Sequence, residues 1–194
     1  MNATKRYVLQ AALFCLCLLV QGCDRSSEPT AEEKALLITV GEFAPYVKGS
    51  HDQSRGRFKK ESNPFTDSKE LNYTFEFKEE ENEPPLYVNC TINLEPKVSS
   101  ASDRAAREVG IAIGFAIGKL KKVPLEGFPK FGDYSSIYLL TLDDKPVGNL
   151  FTAEYGRKSV TLVVSGLYVR EPAVWQEMFG KKLRLLEAYE EPKT

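Results

Sequence analysis

The sequence predicts an α+β fold in two layers, with an antiparallel sheet of about five strands covered by one long and one shorter helix. Three observations support this prediction. Several runs alternate apolar and polar residues and are joined by short polar turns, which is typical of antiparallel strands. Two other stretches repeat apolar residues every three or four positions, as helices do when one face is buried. The chain has 194 residues, of which 42% are hydrophobic, and this is enough to build a packed core.

An export signal is predicted at the N-terminus. Lys5 and Arg6 precede an almost wholly apolar run over residues 7–20, which is shorter than the roughly 20 residues that a membrane-spanning helix needs. The run ends in Val-Gln-Gly-Cys at residues 20–23, and the chain becomes polar immediately afterwards. This stretch resembles the lipobox of bacterial lipoproteins. The resemblance is confined to residues 1–23.

The resemblance implies that Cys23 is lipidated and becomes the N-terminus of the mature protein. The domain would then be anchored to a membrane of the bacterial cell envelope and face the periplasm. In enterobacterial lipoproteins an aspartate after the cysteine favours the inner membrane, so Asp24 points to that location. The alternative is an ordinary secretion signal cleaved after Gly22, in which case Cys23 has no special role.

We divide the chain into a signal peptide at residues 1–22, a flexible tether at residues 23–33 and a single domain at residues 34–194. Ser, Glu, Pro and Thr dominate the tether, and such a composition buries too little apolar surface to order itself. Residues 34–40 are compatible with a strand or a short helix. Residues 48–69 carry many charges together with glycine and proline, and they are predicted to form a long surface loop.

Five strands are predicted in the rest of the domain. Residues 71–77 and 86–94 alternate around an acidic, proline-containing connection, which indicates a hairpin. Cys90 is in phase with the apolar residues of its strand, so its thiol is expected to face the core. Residues 136–142, 148–155 and 159–168 are joined by short turns and should form a meander, with the very apolar third run in a central position.

A long helix is predicted over about residues 100–120, with its apolar residues on one wide face. Gly110, Gly114 and Gly118 form a stripe at the edge of that face, and Ile111 and Phe115 lie beyond the stripe. Each glycine costs about 1 kcal/mol relative to alanine in a helix, so close packing against the stripe is expected to offset the cost. Either another element of the same chain packs there, or these five residues form a docking ridge for a partner or a second copy.

A shorter helix is predicted to begin at Pro172, because proline suits the first turn of a helix. Val174, Trp175, Met178 and Phe179 would form its buried stripe. Gly180 is a candidate end of this helix. Residues 181–190 could therefore continue the helix or form a further strand.

Composition excludes several classes of chemistry. The formal net charge is -1, whereas nucleic-acid binding proteins normally carry a basic excess. Cys15 and Cys17 lie in the signal peptide, so only Cys23 and Cys90 remain in the mature chain, and this predicts neither a disulfide framework nor a zinc site. His51 is the only histidine and lies in the predicted loop, without the partners of a catalytic triad. No cofactor or metal is implied.

These observations favour a membrane-anchored, non-enzymatic protein-binding module of the bacterial envelope. The expected partner is an envelope or secreted protein, and one concrete form is an inhibitor or immunity protein against a toxin or hydrolase that acts at the envelope. A second hypothesis is an envelope assembly or maintenance lipoprotein that binds a resident complex through the ridge. A third is a hydrolase that uses Asp133, Asp143 and Asp144 in one cleft. The oligomeric state is left open.

Overall fold

The computed structural model describes residues 25–47, 52–63, 65–77, 86–98 and 120–191. These residues form one antiparallel sheet of eight strands in the order β1-β2-β3-β4-β8-β7-β6-β5. The strands are β1 Arg25–Ser27, β2 Arg57–Asn63, β3 Ser68–Phe77, β4 Leu86–Leu94, β5 Leu120–Pro124, β6 Tyr134–Leu142, β7 Lys145–Tyr155 and β8 Lys158–Ser165. The α+β class and the antiparallel sheet are confirmed, but the prediction of about five strands is wrong.

The five predicted strands are all present, as β3, β4, β6, β7 and β8. Strand β8 lies between β4 and β7, so its predicted central position is confirmed. Cys90 is fully buried on the core face of β4, as its phase in the sequence predicted. Strong alternation of apolar residues was therefore a sound guide wherever a strand covers the core.

The three strands that were not predicted contain few apolar residues. Part of the predicted surface loop is strand β2, which has Phe58 as its only large apolar residue. This strand forms because its backbone pairs with β3 over its whole length, and because the Phe58 ring packs on Tyr73 with the centroids 4.9 Å apart. Strands β1 and β5 are short and mostly exposed, and they lie at the two edges of the described sheet. Edge strands need no apolar alternation, which is why the pattern did not reveal them.

The predicted flexible tether is ordered from Arg25 onwards, so its assignment over residues 25–33 is corrected. Arg25–Ser27 forms strand β1, and helix α1 begins at Ala31 and ends at Leu36. A capping box starts this helix: the backbone N–H of Glu33 donates to the Thr30 hydroxyl at 3.2 Å, and the Thr30 N–H donates to the Glu33 carboxylate at 2.8 Å. Polar residues that suggested a tether are therefore used as a strand and a helix cap.

Residues 34–40, which the sequence left open between strand and helix, contain the end of α1 and the start of a second short helix. Helix α2 comprises Val40–Phe43 and begins with its own capping box between Thr39 and Glu42. Leu37 and Ile38 connect the two helices and are buried. The apolar run over residues 36–38 thus reflects burial of the connection between two helices and not a strand.

Helix α3 comprises Pro172–Ala188, so the helix continues through Gly180 and residues 181–188 are helical. Proline occupies its first turn, as predicted. The buried stripe continues beyond the predicted residues, with Leu183 and Leu186 following Phe179 at helical spacing. Val174, which was expected in the stripe, is only partly buried.

The core lies between one face of the sheet and the three helices. Several aromatic rings contact one another in it: Phe151 of β7 lies 5.7 Å from Trp175 and 6.3 Å from Phe179, measured between ring centroids. Phe43 of α2 packs edge-on against Phe179 at 5.5 Å. The shared aromatic contacts tie the helices to the central strands.

The segment between β8 and α3 is fixed by a buried amide. The Asn149 side chain accepts the Val169 N–H at 2.7 Å and donates to the Val169 carbonyl at 3.1 Å. The same carbonyl accepts the Trp175 indole N–H at 3.3 Å. These bonds satisfy polar groups in the core and set where α3 begins.

Close approach of two strands explains one glycine. Gly148 of β7 is buried, and a Cβ atom there would lie 1.9 Å from the backbone carbonyl oxygen of Val164 in β8. Gly127 differs because it has a φ of +77° but open space around it. At this position glycine is required only because the backbone has a positive φ.

We predict that Gly148→Ala lowers the free energy of unfolding by about 3 kcal/mol or more, because β7 and β8 must separate to admit the methyl group. Gly127→Ala is the matched control and should cost about 1–2 kcal/mol, the strain of a left-handed conformation. Urea unfolding of both variants measures the difference. Equal losses would show that the β7–β8 approach does not require glycine.

Candidate partner-binding surfaces

Several residues singled out from the sequence lie outside the described residues. They are Cys23, His51 and the five members of the ridge, Gly110, Ile111, Gly114, Phe115 and Gly118. Lipidation of Cys23 and docking through the ridge therefore stay predictions. The described residues add two surfaces that the sequence did not indicate, the segment that follows Cys23 and the edge of β5.

The segment that follows Cys23 is fixed to the sheet. Only Asp24 separates Cys23 from β1, and β1 pairs with β2 in a register that places Arg25 opposite Ser62. Farther along, Glu33 of α1 forms an ion pair with Lys60 of β2 at 2.5 Å, and the Glu33 side chain is only 5% exposed. An anchor on Cys23 would thus be joined directly to the folded domain.

The electrostatic balance at Glu33 favours the ionised form. Burial by itself raises the pKa of this carboxyl, but the hydrogen bonds from Lys60 and from the Thr30 backbone lower it by more, so the pKa lies below its ordinary value. The carboxylate therefore stabilises the fold as an anion. Its charge also lies in the first turn of α1, where the helix dipole favours an anion.

Lys182 joins the other end of this N-terminal segment to α3. Its ammonium donates to the Leu37 carbonyl at 2.9 Å and lies 3.2 Å from the Glu42 carboxylate. The carbonyl lies between α1 and α2, where the backbone has left the helix. The residues that follow Cys23 are thus held by β2 on one side and by α3 on the other.

Strand β5 ends the described sheet on the side opposite β1. The Leu125 N–H donates to the Ile137 carbonyl at 2.9 Å, and Pro124 lies opposite Tyr138. Because hydrogen-bonding positions alternate along an antiparallel strand, Lys121 and Val123 bond to β6, whereas the backbone of Lys122 faces away from it. Pro124 also falls on an outward-facing position, where its lack of an N–H breaks no bond to β6.

The side chains around this edge are a mixture of cations and exposed apolar groups. Val123 is 45% exposed and Leu142 is 42% exposed. Lys121 pairs with Asp144 at 2.8 Å on the surface, and the Lys122 ammonium lies 5.0 Å from the centroid of the Tyr138 ring. Lysine and proline on an edge discourage indiscriminate strand pairing. A partner strand with apolar and acidic residues would nevertheless fit this edge.

A groove of about 1010 Å³ opens at one end of the sheet. It lies between the β2–β3 turn, the end of β4, the β7–β8 turn and the end of α3. Lys158 caps the C-terminal end of α3. Its ammonium donates to the Glu187 carbonyl at 2.5 Å and to the Tyr189 carbonyl at 3.0 Å. Lys69 forms an ion pair with Glu191 at 2.9 Å. These charged groups hold the last helix in place, so they have a structural role.

Burial also affects the titration of groups in this groove. It raises the pKa of Tyr189 to about 12, and the nearby carboxylates of Glu33 and Glu191 act in the same direction. Burial lowers the pKa of Lys158, and the charges of Glu187 and Glu190 oppose that change. Tyr189 is therefore neutral at physiological pH and offers a hydrogen-bonding hydroxyl, not a base.

The three aspartates of the hydrolase hypothesis do not share a cleft. Asp133 precedes β6 and Asp143 and Asp144 follow it, so the two positions are separated by a whole strand, roughly 30 Å. The Asp133 carboxylate accepts the Gly156 N–H at 2.7 Å. Asp143 and Asp144 form the two-residue β6–β7 turn with φ angles of 49° and 62°, which is the type I′ geometry. Turn formation explains these two aspartates.

Neither a metal centre nor a membrane-spanning helix is found in the described part of the chain. Within it, no group of three or more His, Cys, Asp or Glu side chains is arranged to hold a metal ion. Among the same residues, no helix has the length and apolarity needed to cross a membrane.

Comparison with known proteins gives no relative: no protein-family model, no curated protein and no solved structure matches this chain. A function can therefore be proposed only from the residues and the structure of the chain itself.

The Glu33–Lys60 pair leads to a pH-dependent prediction. The folded pKa of Glu33 is below its unfolded value, so its contribution to stability is present above about pH 4.5 and is lost as the pH falls through the folded pKa. We expect Glu33→Gln to lower the free energy of unfolding by about 1–3 kcal/mol at pH 7. The cost should shrink as the pH falls below about 4.5 and through the folded pKa, because the native carboxyl also becomes protonated there.

Glu28→Gln is the matched control, because Glu28 pairs with Lys34 on the surface. Exposed pairs are screened by water, so this variant should change stability much less. Urea titrations between pH 3 and pH 7 measure both variants. A loss for Glu33→Gln that is independent of pH would contradict the assignment of an ionised carboxylate.

Proposed function

We propose that this chain is a lipid-anchored protein of the bacterial cell envelope that acts without catalysis, by binding another protein. The observation that carries the proposal is the lipobox-like sequence ending at Cys23, with the sheet beginning at Arg25. Acylation of Cys23 would hold the domain at the membrane, facing the periplasm. Asp24 favours the inner membrane in this proposal.

The outward-facing side of β5, the last strand of the described sheet, supports the protein-binding part of the proposal. Binding by strand addition uses main-chain hydrogen bonds for affinity and neighbouring side chains for specificity. The outward-facing backbone of Lys122 offers main-chain hydrogen bonds, and the side chains of Val123 and Leu142 offer apolar contacts. The eight strands are spaced by about 4.8 Å, so this edge lies roughly 34 Å from β1, away from the side to which the anchor is joined.

The arrangement of the aspartates favours binding over the hydrolase alternative. Asp133 is separated by a strand from the other two, so the three carboxylates cannot act on one substrate bond. An inhibitor or immunity protein directed against a toxin or hydrolase is the form of the proposal that needs nothing beyond a tethered binding surface. Envelope assembly or maintenance is the alternative, with the ridge at Gly110, Ile111, Gly114, Phe115 and Gly118 as the contact.

The anchor is tested by mass spectrometry of the protein from the membrane fraction. We expect a mature N-terminus at Cys23 that carries acyl chains. These chains would hold the protein in the membrane fraction, because each buried methylene contributes about 0.8 kcal/mol to membrane binding. Cys23→Ser should carry no acyl chains at residue 23, because serine lacks the thiol that receives them. A wild-type protein with unmodified Cys23 would contradict the anchor.

The binding surface is tested by purifying partners from solubilised envelope with the anchored protein. Lys122→Pro removes an outward-facing N–H without removing a bond to β6. It should weaken partner binding about tenfold, because the partner loses one main-chain hydrogen bond and the pairing geometry is disturbed. Lys122→Ala is the control, since it removes the same side chain and keeps the N–H. Thermal unfolding verifies that both variants are folded.

Binding that survives Lys122→Pro would exclude the β5 edge. Loss of binding in Phe115→Lys would then assign the contact to the ridge. The identity of the partner separates the two forms of the proposal: a secreted toxin or hydrolase supports the inhibitor, whereas a resident envelope complex supports assembly or maintenance.

A further inference from the structure

We infer that the end of the sheet carrying the β2–β3 turn faces the lipid bilayer, and that the Phe65 ring enters the interfacial region of the bilayer. This inference rests on the proposed lipid anchor at Cys23. It goes beyond the anchor because it assigns a second membrane contact and an orientation of the domain.

Chain connectivity places this end of the sheet next to the anchor. Two peptide units join Cys23 to Arg25, so their Cα atoms are at most about 7.6 Å apart. Arg25 pairs with Ser62, which is one residue from the end of β2, at a Cα separation of about 5 Å. Phe65 follows Ser62 by three residues, so it lies within about 25 Å of the lipidated position.

Phe65 is exposed to solvent, and hydrogen bonds of the described residues around it fix its backbone. It is 80% exposed, more than any other large hydrophobic side chain among the described residues. Its N–H donates to the Asn63 side chain at 2.9 Å, and the Thr66 N–H donates to the Asn63 carbonyl at 3.3 Å. The hydroxyls of Thr66 and Ser68 are 2.7 Å apart and share a hydrogen bond. The backbone therefore holds the aromatic ring outwards.

A second exposed apolar side chain lies at the same end. Val98 follows β4 by four residues and is 61% exposed. The end of β4 is adjacent to the start of β3, because Leu94 pairs with Lys69. Aromatic and aliphatic groups beside a lipid anchor are the combination found where proteins rest on a membrane interface.

The charges at this end indicate which kind of lipid contact to expect. Arg157 is exposed in the β7–β8 turn, but Asp67 and Glu190 are exposed in the same region. Mixed charges give no net attraction to anionic headgroups. The contact is therefore apolar, and it should depend little on the fraction of anionic lipid.

The test uses the full lipidated protein, purified from membranes and reconstituted in phosphatidylcholine vesicles. Phe65→Trp places a fluorophore at the proposed contact, and native Trp175 is only 1% exposed, so it gives a constant background. Tyr168→Trp is the matched control. Tyr168 is 46% exposed and follows β8 at the opposite end of the sheet.

In the Phe65→Trp variant, we expect the emission of the introduced indole to shift to shorter wavelength. It should also lose about half of its intensity when the vesicles contain lipids brominated near the headgroup. The indole introduced by Tyr168→Trp should change little, and this control accounts for the intrinsic affinity of tryptophan for membrane interfaces. Replacing a third of the lipid by phosphatidylglycerol should leave the result for Phe65→Trp unchanged.

Three failures are distinguishable. Acylated, vesicle-bound Phe65→Trp protein whose introduced indole is not quenched would overturn the inference and leave the anchor intact. Protein without acyl chains on Cys23 would overturn the anchor and the inference together. In the third case, the emission of Phe65→Trp shifts to shorter wavelength, brominated lipid does not lower its intensity, and the shift grows with protein density. This result would show contact with a second copy, and it would also overturn the inference.

Discussion

The packing of α3 against Phe151 is the interaction on which the rest of the structure depends. Trp175 and Phe179 present their rings to the same strand, and Phe43 brings the N-terminal helices onto the same cluster. The covered face of the sheet is apolar and could not remain exposed to water. Because the aromatic cluster is shared, the position of α3 fixes the positions of α1 and α2. The segment that leads from the proposed anchor is held through those helices.

Direct attachment to the sheet restricts the orientation of the domain relative to the proposed anchor, whereas a flexible tether would not. A tethered domain would sample all orientations above the membrane, and every surface would meet partners equally. Here the chain pairs with β2 from Arg25 onwards, and the Glu33–Lys60 ion pair fixes the following helix to the same strand. An anchor at one side of the sheet leaves the β5 edge on the other side.

Sequence patterns predicted the parts of the fold that bury apolar residues. Strands β3, β4, β6, β7 and β8 alternate clearly, and Pro172 marks the beginning of α3. Strand β2 escaped prediction because pairing with β3 and the contact of Phe58 with Tyr73 hold it, and neither is visible in local composition. The candidate surfaces were less predictable. The edge position of β5 in the described sheet depends on the order of the strands, and the exposure of Phe65 depends on a turn that the sequence suggested only as loop.

Cys90 gives this domain an internal reporter of its own opening. Its thiol is fully buried in β4, and its sulfur accepts the Ile38 N–H at 3.4 Å. An alkylating reagent can reach the sulfur only after the core around it opens, since thiolate chemistry requires access to solvent. The rate of alkylation therefore follows the opening equilibrium of the domain, in intact cells as well as in purified samples. A buried thiol thus records how often the core is exposed.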